Sequence, residues 1–125
     1  MPIVALLLVA FEGEVPDFNR DVRPLLSDRC FACHGPDAAA RKAGLRLDVR
    51  SEAIASGVLV PGNLDASEIL RRIIHDDPDE LMPPPELNKG LSNAEVDILR
   101  RWVESGAAYD SHWAWQPPVA LPPPE

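Results

Sequence analysis

The sequence predicts a mainly helical fold in one domain. Two stretches, residues 64–74 and 91–106, carry the start signals and apolar spacing of amphipathic helices. A third apolar stretch runs from Asp17 into a Cys-x-x-Cys-His motif at residues 30–34. The chain has 125 residues, so a single domain with a modest core is expected.

The motif Cys30-Phe31-Ala32-Cys33-His34 is the attachment signature of a c-type haem. In a helical turn, positions i, i+3 and i+4 share one face. Both thiols can then reach the vinyl groups of one porphyrin while the imidazole points at the iron. We therefore predict that Cys30 and Cys33 form thioethers and that His34 is the proximal axial ligand.

Two other chemistries could use the same cysteines. A dithiol redox pair needs a thioredoxin-like strand and helix pattern, which the chain lacks. A structural zinc site needs four ligands, so two cysteines and three scattered histidines would have to converge without a second knuckle. Haem attachment is the main interpretation, and these two are the alternatives.

The first helix is predicted to start at Asp17 as its N-cap and to end at His34, because Gly35-Pro36 is a stop signal. Pro24 would interrupt it, so we expect a kink or a separate first turn. Its apolar face is formed by Phe18, Val22, Leu25 and Leu26.

The middle helix is predicted to start at Asp65, with Glu68 completing a capping-box pair and Leu64 packing against Ile69. It would end before Pro78. Between the first and middle helices, residues 37–64 read mostly as loop. Strand-like alternation occurs at residues 45–49 and one helical turn at 51–54.

The last helix has the clearest signals. Ser92 is the predicted N-cap, Glu95 closes the capping box and Leu91 can staple to Val96. Gly106 lies where a left-handed C-terminal cap belongs. The apolar stripe consists of Val96, Leu99, Trp102 and Val103, with Ile98 beside it.

Met82 is the one methionine apart from the initiator, and a run of three prolines stiffens the loop that follows it. Given the haem motif, we predict that its thioether is the sixth ligand; filling the core is the alternative. His75 and His112 are the other candidates for that position. His75 better suits the C-terminal dipole of the middle helix, and His112 suits packing beside Trp113. Arg46, Arg71 or Arg72 could pair with haem propionates.

The formal charge of −8 argues against a nucleic-acid partner. Residues 1–13 are apolar but too short to span a bilayer. They are expected to be an export signal or its remnant, with a truncated anchor or a mis-assigned start as alternatives, and they offer a route to membrane association. Residues 111–125 form a Trp- and Pro-rich tail that reads as an extended linker.

Taken together, these stretches resemble the planctomycete-type cytochrome c domain, a branch of class I cytochrome c. The resemblance implies an all-α fold of three to four helices around one covalently attached haem c, in residues 14–110. It carries His34 over as proximal ligand and Met82 as distal ligand, and it implies that the first and last helices cross, with Trp102 near Phe18 and Val22. The matching stretches are residues 18–26, 30–35, 60–62, 82–84, 91–107 and 112–118.

Relatives of this type usually stand at the front of larger proteins, and covalent haem attachment implies assembly outside the cytoplasm. One-electron transfer to a redox partner protein or a downstream domain is therefore the first functional hypothesis. A haem sensor or enzyme with an open distal site is the second. A structural or docking module in which haem staples a small core is the third.

Overall fold

Helical segments and loops, without any β-strand, make up residues 15–110, the part of the chain that the computed structural model describes. The predicted helical class is confirmed. The α-helices are α1 (Arg23–Arg29), α2 (Arg50–Ala55), α3 (Glu68–Arg72) and α4 (Asn93–Glu104). A π-helical turn at Phe18–Val22 precedes α1, and a 3-10 turn at Pro85–Leu87 precedes α4.

The predicted leader and tail, with His112, Trp113 and Trp115, lie outside the described residues. Within the described range, no helix is both long and apolar enough to cross a membrane. Residues 45–49, which alternate like a strand in sequence, form an irregular segment with bends at residues 47–49 instead.

The first helix is divided where Pro24 was expected to disturb it. The Asp17 carboxylate accepts a hydrogen bond from the Arg20 N–H at 2.8 Å, which confirms the predicted N-cap. The π-helical turn follows, closed by the Arg23 N–H donating to the Phe18 carbonyl. Pro24 then takes the second position of α1, where a missing N–H costs little.

The prediction that this helix continues to His34 is wrong. Helix α1 ends at Arg29, because Cys30 leaves the helical region with φ −126°. Residues 30–34 form a separate turn in which the His34 N–H donates to the Cys30 carbonyl at 2.8 Å.

The predicted start of the middle helix at Asp65 is also wrong. The N-cap of α3 is Ser67, whose side chain makes no capping bond. Its buried hydroxyl donates to the Asn63 carbonyl at 2.8 Å and accepts from the Val60 N–H at 3.0 Å. These bonds hold residues 60–67 in a turn, so the helix begins only at Glu68 and Asp65 stays exposed.

Helix α4 begins and ends as predicted. The Ser92 hydroxyl accepts from the Glu95 N–H at 3.2 Å, and the Glu95 carboxylate accepts from the Ser92 N–H at 2.9 Å. At the other end Gly106 has φ 114°, and the Ala107 N–H donates to the Trp102 carbonyl at 2.9 Å. This is the hydrogen-bond pattern of a Schellman motif.

The core joins the start and the end of the described chain. Trp102 is 2% exposed, and its ring centroid lies 6.0 Å from that of Phe18, so the predicted contact between the last and first helices is confirmed. Tyr109 stacks on Phe18 with a centroid distance of 4.6 Å. The Tyr109 hydroxyl donates to the Leu47 carbonyl at 2.7 Å and so ties this aromatic cluster to the loop before α2.

Candidate functional site

The turn at residues 30–34 places both thiols and the imidazole on one short stretch of backbone. Gly35 follows it, and a Cβ atom there would lie 2.2 Å from the Phe31 carbonyl oxygen. The chain passes so close to its own preceding turn that only glycine fits without a shift of the backbone.

His34 is oriented by the loop that follows the motif. Its Nδ1 lies 3.2 Å from the Lys42 carbonyl oxygen. A carbonyl can only accept, so Nδ1 carries the proton and Nε2 keeps its lone pair. Burial lowers the pKa of His34 below its usual 6.5, opposed by this hydrogen bond. The imidazole is therefore neutral at pH 7, which is the form that binds metals.

Main-chain hydrogen bonds fix the same loop to the motif. The Lys42 N–H donates to the Cys33 carbonyl at 2.7 Å, and the Leu47 N–H donates to the His34 carbonyl at 2.8 Å. Sequence reasoning missed both contacts and the Lys42 carbonyl. The sequence offers one weak signal for them, the turn residue Gly44. In the structure Ala43 and Gly44 both have positive φ, which turns the chain directly after Lys42.

A cavity of about 610 Å³ brings the four predicted site residues together. Cys30, Cys33, His34 and Met82 all line it. Its volume is in the range of ligand sites in proteins. Much of the remaining wall is apolar: Leu45, Leu47, Val58, Ile69, Ile73, Pro83, Pro84 and Leu87.

Met82 enters the cavity wall from the loop after α3. Its N–H donates to the Arg72 carbonyl at 3.0 Å, and the peptide bond to the buried Pro83 is cis. His75 is not part of the wall. Its Nδ1 accepts from the Asp77 N–H at 3.0 Å.

Of the three arginines considered for the propionates, Arg72 alone lines the cavity. Arg46 is paired with Asp48 at 2.6 Å and with Glu52 at 3.5 Å. Arg71 is paired with Glu68 on the surface of α3.

The chemistry of the donor set fits haem better than the alternatives. Both cysteines are free, and burial raises the pKa of Cys30 to about 12. Reactive dithiols have a lowered thiol pKa, so Cys30 does not suit a redox pair. Among residues 15–110, no three His, Cys, Asp or Glu side chains lie together as a metal cluster would require. Two thiols, one neutral imidazole and one thioether facing an apolar cavity are what a covalently held haem uses.

These features are those expected of a small helical domain that holds a c-type haem, and comparison with known families agrees. Residues 30–86 match the family described as planctomycete cytochrome C, which confirms the resemblance inferred from the sequence. The matched segment starts at the first cysteine of the motif and includes Met82; it covers a little under half of the chain. No curated protein and no solved structure matches the chain.

Proposed function

We propose that this chain is a single-haem c-type cytochrome domain that transfers one electron at a time. The observation that supports this most is the shared apolar cavity lined by Cys30, Cys33, His34 and Met82. In the proposal the two cysteines hold the haem covalently, His34 is the proximal ligand and Met82 the distal one.

The surrounding residues have defined tasks in this proposal. The Lys42 carbonyl keeps the proton of His34 on Nδ1, and this hydrogen bond makes Nε2 a stronger ligand for iron. The Met82 thioether is a soft ligand that favours the ferrous state. Haem, when bound, supplies one-electron chemistry, and ligands on both faces leave no site for a substrate.

We also propose that the domain works outside the cytoplasm and exchanges electrons with a partner protein or with a further domain of a longer chain. Cytochrome c domains of the matched family are typically extracytoplasmic, which supports that location. The net charge of −8 favours a redox partner with a basic docking surface.

A carbon monoxide difference spectrum of the reduced protein tests the function. The parent is expected to bind carbon monoxide slowly or not at all, because Met82 closes the distal site. Met82→Ala should bind it readily and have a lower reduction potential, since the ligand that favours ferrous iron is gone.

Leu87→Ala is the matched control, because Leu87 lines the same cavity without offering a ligand atom. It should behave like the parent. If the parent binds carbon monoxide as readily as Met82→Ala does, the result would contradict electron transfer and favour a sensor or enzyme with an open distal site.

A further inference from the structure

We propose that Arg72 is the positioning residue for Met82: its backbone and side chain together hold the methionine loop, residues 76–82, against helix α3. This inference rests on the proposed role of Met82 as the distal ligand. It assigns to Arg72 the task of keeping the thioether in the cavity, in place of the propionate contact that its residue type suggests.

The contacts of Arg72 reach the loop at three atoms. Its carbonyl accepts from the Met82 N–H at 3.0 Å. Its Nη1 lies 3.0 Å from the Glu80 carboxylate and donates to the Glu80 carbonyl at 3.3 Å. Meanwhile its Nε donates to the Glu68 carboxylate at 2.9 Å, which anchors the guanidinium on α3.

The hydrogen bonds within the loop shape it but do not attach it to the domain. The N–H groups of Asp79, Glu80 and Leu81 all donate to Asp77. Of the described contacts between this loop and the side chains of α3, those shorter than 3.5 Å belong to Arg72. Without them, the loop keeps only the backbone bond from Met82 to Arg72 and a longer Arg71–Glu80 ion pair at 3.7 Å among its described ties to that helix.

Arginine suits this position because its planar fork can serve two carboxylates at once, whereas lysine offers one point charge. The guanidinium is about one-third exposed and lines the cavity, so it is partly withdrawn from water. A thioether is a weak ligand, and its binding depends on how well the loop is ordered beforehand. A loop released from Arg72 should therefore let Met82 leave the iron more often.

Arg71 provides an internal control on the same helix. It also pairs with Glu68, but it is half exposed, does not line the cavity and approaches Glu80 no closer than 3.7 Å. Arg71→Gln and Arg72→Gln thus remove the same charge from neighbouring positions, and only the second removes the short contacts to the loop.

The experiment measures carbon monoxide association with the reduced, haem-loaded full chain. Arg72→Gln should bind about fivefold to tenfold faster than the parent, which is the net loss expected for one partly solvent-exposed hydrogen bond. Its reduction potential should move toward that of Met82→Ala. Arg71→Gln should stay within about twofold of the parent, because an exposed ion pair contributes little.

Glu80→Gln is the second variant and covers the case in which Arg72→Gln fails to fold. It removes the carboxylate but keeps the Glu80 carbonyl as a partner, so a rate between those of the parent and Arg72→Gln is expected. An unchanged far-UV spectrum separates loop release from loss of the fold.

The outcomes distinguish the two proposals. If Met82→Ala opens the site but Arg72→Gln, or Glu80→Gln in its place, binds like the parent, Arg72 does not position Met82 and the electron-transfer proposal stands. An Arg71→Gln variant as fast as Arg72→Gln would also overturn the assignment. If the parent already binds like Met82→Ala, the distal-ligand role fails for every variant.

Discussion

Gly35 is as necessary to the candidate site as the residues with functional groups. It follows the histidine directly and is buried, and its Cα lies so near the Phe31 carbonyl that a Cβ would come within 2.2 Å of the oxygen. The histidine turn can therefore close only if position 35 has no side chain.

Gly35→Ala should lower the free energy of unfolding by about 1–3 kcal/mol, because the backbone of the turn must move to admit a methyl group. It should also reduce the amount of haem that resists acid-acetone extraction. Urea unfolding and the haem-to-protein ratio measure the two effects.

Gly90→Ala is the control for this prediction. Its Cβ would meet nothing within 4 Å, so the substitution should be neutral or slightly stabilising. If both variants unfold at the same urea concentration as the parent, the close approach at Gly35 has no energetic weight.

Which residues of the site could be predicted depended on how local their signal is. Cys30, Cys33 and His34 are recognised from five consecutive residues. The Lys42 carbonyl that orients His34 is a group that every residue possesses, so no residue type marks it. Only the fold brings it to the histidine.

Helices α3 and α4 show the same contrast at the scale of elements. Both have a capping-box pattern in sequence, but only α4 uses it. In α3 the buried Ser67 hydroxyl binds Val60 and Asn63, and the N-cap lies two residues further on than predicted, at Ser67 instead of Asp65. Glu68 then pairs with Arg71 and Arg72 instead of the backbone.

Ser92→Ala should therefore cost about 1 kcal/mol of unfolding free energy, since it leaves the Glu95 N–H without its cap. Asp65→Ala should cost less than about 0.5 kcal/mol, because Asp65 is exposed and caps nothing. Chemical unfolding of both variants checks the difference. Equal losses would mean that Asp65 does cap α3.

The start of α4 could be predicted and the start of α3 could not, because a cap is recognisable from sequence only when all its groups lie within one turn. The Ser92–Glu95 pair meets that condition. The Ser67 hydroxyl bonds four and seven residues back along the chain, across a loop, and no periodic pattern records that contact. The helical class was thus predictable, whereas the bounds of α1 and α3 were not.

For the whole molecule, the aromatic cluster of Phe18, Trp102 and Tyr109 joins the first helical turn, the last helix and the segment after it. The Trp102 and Tyr109 centroids lie 5.5 Å apart. The Trp102 indole N–H also donates to the Ala108 carbonyl at 2.9 Å, so the ring is held on both its apolar and its polar side.

Trp102→Ala should cost about 3–5 kcal/mol, as large-to-small changes in a packed core do. For a domain of this size that is a large share of the total stability. Leu87→Ala, at a side chain that is 49% exposed, should cost less than about 1 kcal/mol. Thermal or urea unfolding compares them, and a loss below 1 kcal/mol for Trp102→Ala would refute the crossing of the first and last helices.

The two hydrogen bonds of Leu47 join parts of the site that are synthesised at different times. Its N–H donates a hydrogen bond to the His34 carbonyl, and its own carbonyl accepts one from the hydroxyl of Tyr109, 62 residues further along the chain. At about 5–20 residues per second of synthesis, that partner arrives roughly 3–12 s after Leu47. During that interval the two thiols and the histidine have been synthesised, but the cavity wall at Leu47 still lacks its hydrogen bond from Tyr109.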